Sequence, residues 1–405
     1  MIKVKYLILG GGPSGLTLAN ALVQRGENSV LLIEKESEAG GLCRSTDVDG
    51  WALDTGGGHF LDVRRPEVCE FLFRFMGPEE WDRYDRDSRI RLKGHEVSHP
   101  LEANIWQLPE YVQRQYLESI RAAGCNNGAA MPARFTEWIY WKLGERIAAD
   151  YMIPYNKKMF ADELDELGTY WLDKLPNVDY EDTLRSCREH HAYGTQPGHA
   201  SFYYPKKYGY GEVFNRMAEE LGDRIVYNAK VSTLDTDSHR ITTKEGDEFE
   251  GNIVITTVPW NSFDSVTGIS DEMMTKMRSL KHSSIEIRYF AEDAGTDAQW
   301  VYCPDPELPY HRILVRYNFC KGKGYWTETR SERTSMFKEN EGGPVFMNEY
   351  AYPLNTMDKP VIMDRLLTFM NGRNIIGLGR WGEHSHFNSD VVIKKALELS
   401  KTLTD

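Results

Sequence analysis

The first thirty-four residues contain the sequence feature that constrains the fold most. Residues 3–9 (KVKYLIL) form a short apolar run of the kind that makes a buried parallel strand. The segment 10–15 (GGGPSG) follows at once, and residues 16–24 then carry apolar side chains at helical spacing. A second apolar run at residues 29–33 ends at Glu34. This order predicts an α/β fold that opens with a Rossmann-type strand, turn, helix and strand.

The spacing of the glycines and of the acid indicates what such a turn would bind. Gly10 permits the tight turn, Gly12 lets the backbone approach a pyrophosphate, and Gly15 lets the helix pack closely on the strand. The pyrophosphate would lie against the positive N-terminus of the helix. Glu34 is placed to accept hydrogen bonds from ribose hydroxyls. The pattern predicts a dinucleotide site, and the alternative is a plain glycine-rich turn.

The composition limits the class of protein. A chain of 405 residues predicts two or three domains of about 150 residues each. The formal charge of −13 argues against nonspecific binding of nucleic acid, which needs a basic face. No apolar run approaches the ~18–20 residues needed to cross a bilayer, and no signal peptide precedes the first strand. We therefore expect a cytoplasmic protein that binds neither nucleic acid nor membrane.

Two residue patterns that can indicate metals or disulfides are weak in this chain. The six cysteines include no CxxC pair, so free thiols are expected. Glu383, His384, His386 and Asp390 are close in sequence. The two histidines are only two residues apart on a segment expected to become helical, so they would face different ways. We expect no metal site.

Two further glycine-rich segments follow the nucleotide motif. Gly40 and Gly41 lie just beyond the second strand, and residues 54–60 (DTGGGHF) end in His59 and Phe60. The first segment resembles the extended flavin motif of the amine-oxidase and glutathione-reductase superfamily, in which a second backbone loop closes over FAD. The second resembles the turn that passes close to the isoalloxazine ring in that superfamily. The resemblance therefore implies FAD rather than NAD.

Five short segments resemble the UDP-galactopyranose mutase branch of this superfamily. They are residues 155–160 (YNKKMF), 205–210 (PKKYGY), 309–313 (PYHRI), 349–353 (EYAYP) and 375–383 (IIGLGRWGE). Together with the N-terminal motifs, they extend the resemblance from one end of the chain to the other. Each segment is short, and their order and spacing carry the resemblance.

The resemblance implies a role for particular residues. Arg312 would bind the substrate diphosphate and Arg380 would lie beside the flavin. No catalytic side chain is implied, because N5 of the flavin is expected to react, supported by Arg312, Arg380 and His59. The expected substrate-binding residues are Arg312, Tyr352, Tyr155, Phe160, Tyr210 and His386. The expected cofactor-binding residues are Gly10, Gly12, Pro13, Ser14, Gly15, Glu34, Lys35, Gly41, Leu42, Gly58, His59, Val231, Gly379, Arg380, Asn388 and Ser389.

Several family positions carry a different residue type in this chain. A pocket tryptophan corresponds to Phe160, which can still stack on a base, and a tyrosine corresponds to His386. A histidine near the flavin corresponds to Asp62, and an asparagine lies near the position of His99. A diphosphate-binding arginine corresponds to Asp179, in the sequence PNVD. The last exchange predicts that one phosphate clamp is missing or moved.

The resemblance implies an FAD-dependent isomerase that interconverts the pyranose and furanose rings of a nucleotide sugar through N5 of reduced flavin. NADH or NADPH would reduce the flavin, the product would serve cell-surface polysaccharide biosynthesis, and the chain could form a homodimer. Two alternatives share the N-terminal motifs. One is a redox flavoenzyme of the amine-oxidase, protoporphyrinogen-oxidase or desaturase type, and the other is a non-catalytic escort protein of small GTPases. Arg312 and Tyr352 favour the isomerase.

The pattern of elements predicts three structural parts. A Rossmann-type FAD-binding domain comprises 1–90, 202–267 and 365–405, a helical domain is inserted at 100–180, and an antiparallel β-sheet substrate domain comprises 91–99, 181–201 and 269–364. Apolar patterns predict helices at 105–121, 135–151 and 213–221 and strands at 224–234, 252–258, 284–290 and 311–317. The polar stretch 321–343 has no core pattern, which predicts a mobile loop over the site.

Overall fold

The computed structural model describes residues 1–172, 178–194 and 200–404. In these ranges the strands are β1 (Ile2–Leu9), β2 (Val30–Ile33), β3 (Ser45–Val48), β4 (Trp51–Asp54), β5 (Leu61–Asp62), β6 (Trp81–Asp85), β7 (Ser88–Leu92), β8 (His95–Ser98), β9 (Ser201–Pro205), β10 (Ile225–Val226), β11 (Val231–Asp235), β12 (Arg240–Thr243), β13 (Glu248–Thr256), β14 (Ser265–Thr267), β15 (His282–Phe290), β16 (Trp300–Tyr302), β17 (Arg312–Val315), β18 (Tyr325–Arg330), β19 (Val345–Pro353) and β20 (Ile375–Gly377). The helices are α1 (Pro13–Gln24), α2 (Pro66–Leu72), α3 (Leu101–Asn104), α4 (Glu110–Ala122), α5 (Phe135–Ile147), α6 (Ile153–Met159), α7 (Tyr180–Glu189), α8 (Glu212–Leu221), α9 (Asp271–Arg278), α10 (Lys359–Asn371), α11 (Gly379–Gly382) and α12 (Ser389–Thr404). Across these ranges, every helix is too short or too polar to traverse a lipid bilayer.

The N-terminal motif forms the centre of the largest sheet in the described part of the chain. Its strand order is β10-β2-β1-β13-β12-β11-β14, and β20 also pairs with β13. β1 pairs in parallel with both β2 and β13, which confirms the strands predicted at 3–9 and 29–33. α1 packs against β2, α8 and α12. The carboxyl ends of β1, β2 and β13 therefore meet at one edge, where doubly wound α/β sheets bind their ligands.

A second sheet contains the segments that resemble substrate-binding motifs. Its strand order is β19-β15-β18-β17-β16-β7-β8, and its neighbours are antiparallel except for the parallel pair of β16 with β7. The strand predicted at 284–290 is confirmed as part of β15. The strand predicted at 311–317 is shorter, because β17 ends at Val315 and a 3₁₀ turn follows. β5, β9 and β6 form a smaller sheet.

The stretch 224–234, predicted as one strand, forms two strands at separate positions in the largest sheet. β10 pairs with β2, whereas β11 pairs with β12 and β14. Asn228, which lies between β10 and β11, has a φ of 55°, a left-handed conformation that asparagine adopts more readily than most residues. The chain turns at this point, so the single-strand prediction is wrong.

The helix predicted at 105–121 is interrupted near its start. A 3₁₀ turn at Ile105–Gln107 ends at Leu108, and α4 begins only after Pro109. Proline disfavours helical backbone in the residue before it and has no N–H to continue a helical ladder. The apolar periodicity therefore spans two elements.

The helix predicted at 135–151 is α5 followed by a π-helical turn at Ala148–Met152. Gly144 interrupts α5 with a φ of 72°. A Cβ atom at Gly144 would collide with the backbone carbonyl of Ser119 in α4. Only glycine allows this close approach of α4 and α5.

The prediction of a mobile loop at 321–343 is wrong. This stretch contains β18, which lies inside the second sheet between β15 and β17. The strand buries four consecutive polar residues, Thr327, Glu328, Thr329 and Arg330. These side chains find partners far away in sequence, as Arg330 does with Asp162 at 2.6 Å. The apolar pattern that marks most strands is therefore missing from this one.

Candidate functional site

A cavity opens at the carboxyl ends of β1 and β2, beside the N-terminus of α1. It brings together residues that are far apart in sequence. They come from the glycine turn, from the loop that follows β2, from β11 and from α11. Among the expected cofactor-binding residues, its lining includes Gly10, Gly12, Pro13, Ser14, Glu34, Lys35, Gly41, Leu42, His59, Val231, Arg380 and Ser389. We refer to it as the first cavity.

The N-terminus of α1 supplies a positive end to the first cavity. Gly12 is the N-cap residue, and no side chain caps this end of the helix. The first N–H groups of a helix have no partner within the helix, and Pro13 at the first helical position has no N–H to satisfy. Unpaired N–H groups and the helix dipole together favour an anion such as a phosphate.

The glycine turn packs too tightly for side chains at two of its positions. Gly10 has a φ of 101°, in the left-handed region that favours glycine. A Cβ atom at Gly15 would collide with the backbone carbonyl of Gly10 and would lie 3.3 Å from Cγ2 of Ile8. Gly15 does not line the cavity itself but allows α1 to begin close to β1.

Glu34 lies at the end of β2 in the lining of the first cavity. Its carboxylate accepts hydrogen bonds from the backbone N–H of Gly11 at 2.6 Å and of Glu36 at 2.9 Å. Burial raises the pKa of this carboxyl, and the two N–H donors oppose that rise. The carboxylate is thus held in a fixed position from which it can accept further hydrogen bonds.

Sequence reasoning missed part of the wall of the first cavity. Residues 257–259, which follow β13, and residues 347–350 in β19 both line it. Asn348 is fixed there, because its side-chain amide donates to the backbone carbonyl of Thr55 at 2.8 Å. Residues 257–259 carry no local motif, and residues 349–350 belong to the segment 349–353, whose resemblance concerns the substrate, so the position of both segments at the first cavity depends on the sheet pairing.

A second cavity adjoins the first. Leu42, His59, Arg380 and Ser389 line both, so the two cavities share a wall. Five more of the expected site residues line the second cavity, namely Gly58, Arg312, Tyr352, His386 and Asn388. The residues expected to bind cofactor and those expected to bind substrate therefore meet at this wall.

A buried carboxylate beneath the second cavity holds Arg312 in place. Glu328 forms an ion pair with Arg312, and its side chain is completely buried. It also accepts a hydrogen bond from the backbone N–H of Gly58 at 3.1 Å, and the Tyr352 hydroxyl lies 3.4 Å away. Burial opposes ionisation of Glu328, but Arg312 and His311 outweigh it and hold the pKa of this carboxyl well below its usual range. Sequence reasoning missed Glu328 because it lies in the stretch predicted as a loop.

Arg380 places a second, partly buried cation between the two cavities. Its guanidinium donates to the carbonyl of Phe387 at 2.8 and 3.0 Å and to that of Ala351 at 3.0 Å. No carboxylate of the described ranges forms an ion pair with it. Burial lowers the pKa of Arg380, but an arginine side chain keeps its charge in proteins. The site therefore contains a positive charge that protein carboxylates do not neutralise.

Two histidines near these arginines are neutral at physiological pH. Burial and then Arg380 lower the pKa of His59 to about 4. Burial, followed by Arg380 and Arg312, lowers the pKa of His386 to about 3. Nδ1 of His59 lies 3.1 Å from the carbonyl oxygen of Gly57, so this nitrogen donates. The histidines can form hydrogen bonds but add no charge.

Three of the expected substrate-binding residues lie behind the cavity walls. The ring of Tyr155 packs on Tyr302 at 5.5 Å, and that of Phe160 packs 6.2 Å from His386. Tyr210 is completely buried, lines neither cavity, and contacts Ser389 through its hydroxyl at 3.2 Å. These residues support the walls rather than face the space.

The remaining residues were either expected at the site or differ in type from the family pattern, and they do not share one location. Gly379 has a φ of 78° and packs on Ser14 without lining a cavity. Asp179 caps α7 by accepting the backbone N–H of Asp182 at 3.0 Å. Pro176 and Asn177 lie outside the described residues. Arg86, which sequence reasoning missed, does line the second cavity together with Asp62.

Comparisons with known proteins agree with this fold. The chain matches the crystal structure of a reduced UDP-galactopyranose mutase with a TM-score of 0.87 and 23% identity, over 100% of this chain and 94% of that one. It matches a putrescine oxidase structure with a TM-score of 0.67 and 14% identity, over 99% of both chains. These likenesses establish the fold.

Curated relatives match over shorter segments. A UDP-galactopyranose mutase of Mycoplasma pneumoniae is 33% identical over 76 residues, which are 18% of this chain and 19% of that protein. In each of these curated relatives, the segment that matches this chain covers half or less of the relative's full length.

A family model carries the assignment. Residues 13–267 match the model of flavin containing amine oxidoreductases. This range begins at α1, includes Glu34 and the two later glycine-rich segments, and ends with β14. A flavin is thus the cofactor that the family indicates. Since the model covers more than half of the 405 residues, this protein belongs to the flavin containing amine oxidoreductase family.

Proposed function

We propose that this protein is an FAD-dependent nucleotide-sugar mutase, an isomerase that interconverts pyranose and furanose rings and depends on reduction of its flavin by NADH or NADPH. The observation that carries the proposal is the pair of arginines, Arg312 and Arg380, in a cavity that shares a wall with the first cavity. The fold of a reduced UDP-galactopyranose mutase supports the same reading.

FAD suits the first cavity better than a mononucleotide does. The N-terminus of α1 offers a pyrophosphate site, and Glu34 offers an acceptor for a ribose on one side of it. Val231 lines the cavity on the adenine side expected for this superfamily, while His59 and Arg380 line the part shared with the second cavity. A dinucleotide would use both ends, whereas a mononucleotide would leave the Glu34 end without a partner.

The second cavity suits an anionic substrate. A guanidinium group offers a planar fork to phosphate oxygens, and Glu328 fixes the orientation of Arg312. Tyr352 adds a neutral hydroxyl at 3.4 Å from Arg312. A nucleoside diphosphate would find here a preorganised cation and a hydroxyl.

The chemistry of ring interconversion fits the groups that the chain presents at the shared wall. When bound, reduced flavin would supply a nucleophilic N5 that can displace the nucleoside diphosphate from the anomeric carbon of the sugar. Arg380 stabilises negative charge at this wall, and the neutral His59 and His386 orient hydroxyl groups. The protein therefore contributes orientation and charge stabilisation rather than a strong acid or base.

Oxidation of an amine, the main alternative within the family, fits the second cavity poorly. An alkylammonium substrate would approach Arg312 and Arg380, and like charges in a confined space repel each other. A redox reaction on an uncharged substrate would meet no such repulsion. It would differ from isomerisation because it needs oxidised flavin.

We expect turnover only when the flavin is reduced. The dithionite-reduced and the oxidised protein are incubated without oxygen with UDP-galactofuranose, and the products are separated by chromatography. The mutase should form UDP-galactose with reduced flavin alone and consume no electron acceptor. If the nucleotide sugar instead bleaches the flavin of the oxidised protein, the chain is a redox enzyme and the proposal is wrong.

Replacing Arg312 by lysine should weaken the binding of UDP by about tenfold, because an ammonium group keeps the charge but loses the planar fork. Isothermal titration of the flavin-loaded protein measures this change. Arg89→Lys is the matched control, since Arg89 lies in the same sheet and pairs with Asp87 at 2.7 Å outside both cavities. Equal affinities for UDP in parent and R312K would remove Arg312 from the diphosphate site.

A further inference from the structure

Arg86 is a cation in the second cavity that the proposed function leaves without a role. It lies just before β7 and lines the cavity together with Phe60 and Trp300. Its guanidinium carbon lies 5.6 Å from the centre of the Phe60 ring and 5.1 Å from that of Trp300. Aromatic rings hold an arginine in this way without neutralising its charge.

The hydrogen-bond partners of Arg86 are also neutral. Nε donates to the hydroxyl of Ser88 at 2.8 Å, and Nη2 donates to that of Tyr302 at 2.9 Å. No carboxylate in the described ranges forms an ion pair with it. An arginine carries five N–H donors, so donors remain for a ligand. The group is oriented by four neighbours yet lacks a counter-ion.

The acids that line the same cavity do not supply that counter-ion. Asp62 pairs with Arg64 at 2.6 Å, and Asp390 forms a short ion pair with Arg65. Each of these carboxylates already has its own cation. Among the residues that the structure describes, none therefore balances the positive charge of Arg86.

Arg86 is also separate from the arginines assigned to the diphosphate and the flavin. Arg312 contacts Glu328 and Tyr352, whereas Arg380 contacts carbonyl groups and the Tyr352 ring at 5.9 Å. In the described ranges no residue hydrogen-bonds both to Arg86 and to either of these arginines. The cavity thus has a second place for an anionic group.

We infer that Arg86 binds a carboxylate on the sugar, and that the substrate is a nucleotide-linked acidic sugar such as a uronate. This inference rests on the proposed function. A carboxylate would form a bidentate hydrogen-bonded pair with the free edge of the Arg86 guanidinium. A neutral sugar would leave the charge of Arg86 unpaired inside a narrow cavity, so the protein would discriminate against it.

The test compares two ligands that differ only at C6 of the sugar, UDP-galacturonate and UDP-galactose. Their dissociation constants are measured on the FAD-loaded protein by isothermal titration. We expect UDP-galacturonate to bind at least about tenfold more tightly to the parent. In Arg86→Gln this preference should fall below about twofold, while the affinity for UDP-galactose stays within about threefold of the parent.

Two controls show that such a change is local. Arg83→Gln removes an exposed arginine on β6, whose Nη2 lies 3.5 Å from the Ser201 hydroxyl, and should keep the parent's preference. Flavin content and the unfolding temperature of R86Q should match the parent.

Equal binding of both ligands by the parent would overturn the inference and leave the proposed mutase intact. An equal loss of affinity for both ligands in R86Q would assign Arg86 to the diphosphate and would also overturn it. If the parent binds neither ligand nor UDP, the proposed function fails together with the inference.

Discussion

Replacing Glu328 by glutamine should lower the free energy of unfolding by about 3 kcal/mol near pH 7. The side chain of Glu328 is completely buried, pairs with Arg312 and accepts the N–H of Gly58. Glutamine keeps the volume but removes the charge, so the Arg312 cation loses its counter-ion and the cost is electrostatic. Urea unfolding followed by tryptophan fluorescence measures the change.

The effect of Glu328→Gln should become smaller in acid. Arg312 and His311 overcome the effect of burial and hold the folded pKa of Glu328 below its usual value of 4.5. The ionised carboxylate therefore stabilises the fold above about pH 4.5, and this contribution is lost as the pH falls toward the folded pKa. Glu332→Gln is the control, because the Glu332 side chain is 61% exposed. Identical unfolding curves for parent and E328Q at pH 7 would contradict the role of this carboxylate.

Replacing Gly15 by alanine should give a protein that contains no flavin and is about 3 kcal/mol less stable than the parent. The added methyl group would collide with the carbonyl oxygen of Gly10, which is a backbone atom and cannot rotate away. Either α1 or the glycine turn would have to move, and both form the end of the first cavity. Absorbance in the flavin band and thermal unfolding measure the two effects.

Gly12→Ala separates loss of flavin from loss of fold. A Cβ atom at Gly12 would meet only Cα of Gly41, at 4.0 Å, so the fold accepts it. The methyl group would nevertheless project where a pyrophosphate must approach the backbone, so flavin should be lost while the apoprotein keeps its stability. Gly372→Ala should change neither property, since its nearest neighbour is a carbonyl oxygen at 3.5 Å. Full flavin content in G15A would refute the packing argument.

The N-terminal unit could be predicted from sequence because its determinants are local. The strand, the turn and the helix each depend on residues within a few positions of one another, and Gly10 and Gly15 meet within six residues. Glu34 follows directly from the end of β2. The expectation that Arg312 and Tyr352 bind substrate comes instead from the resemblance of short segments around them to known motifs.

The rest of the site depends on contacts between distant parts of the chain. Glu328 lies in a strand of polar residues that is buried only because partners such as Arg312 and the Gly58 N–H reach it. Arg86 belongs to no motif, and only the pairing of β7 with β16 brings it beside Trp300. A single sequence contains no local signal for such charges. The break at Pro109, by contrast, follows from the residue itself.

Glu328 connects a segment that borders both cavities to an arginine that lines the second cavity. Its carboxylate accepts from the backbone N–H of Gly58, beside His59, and pairs with Arg312, the arginine proposed to bind the diphosphate. A ligand that shifts this segment should therefore alter the electrostatic field around Arg312, and a ligand on Arg312 should act on the segment with the same coupling free energy. We therefore expect ligands in the two cavities to change each other's affinity through the side chain of Glu328 in β18.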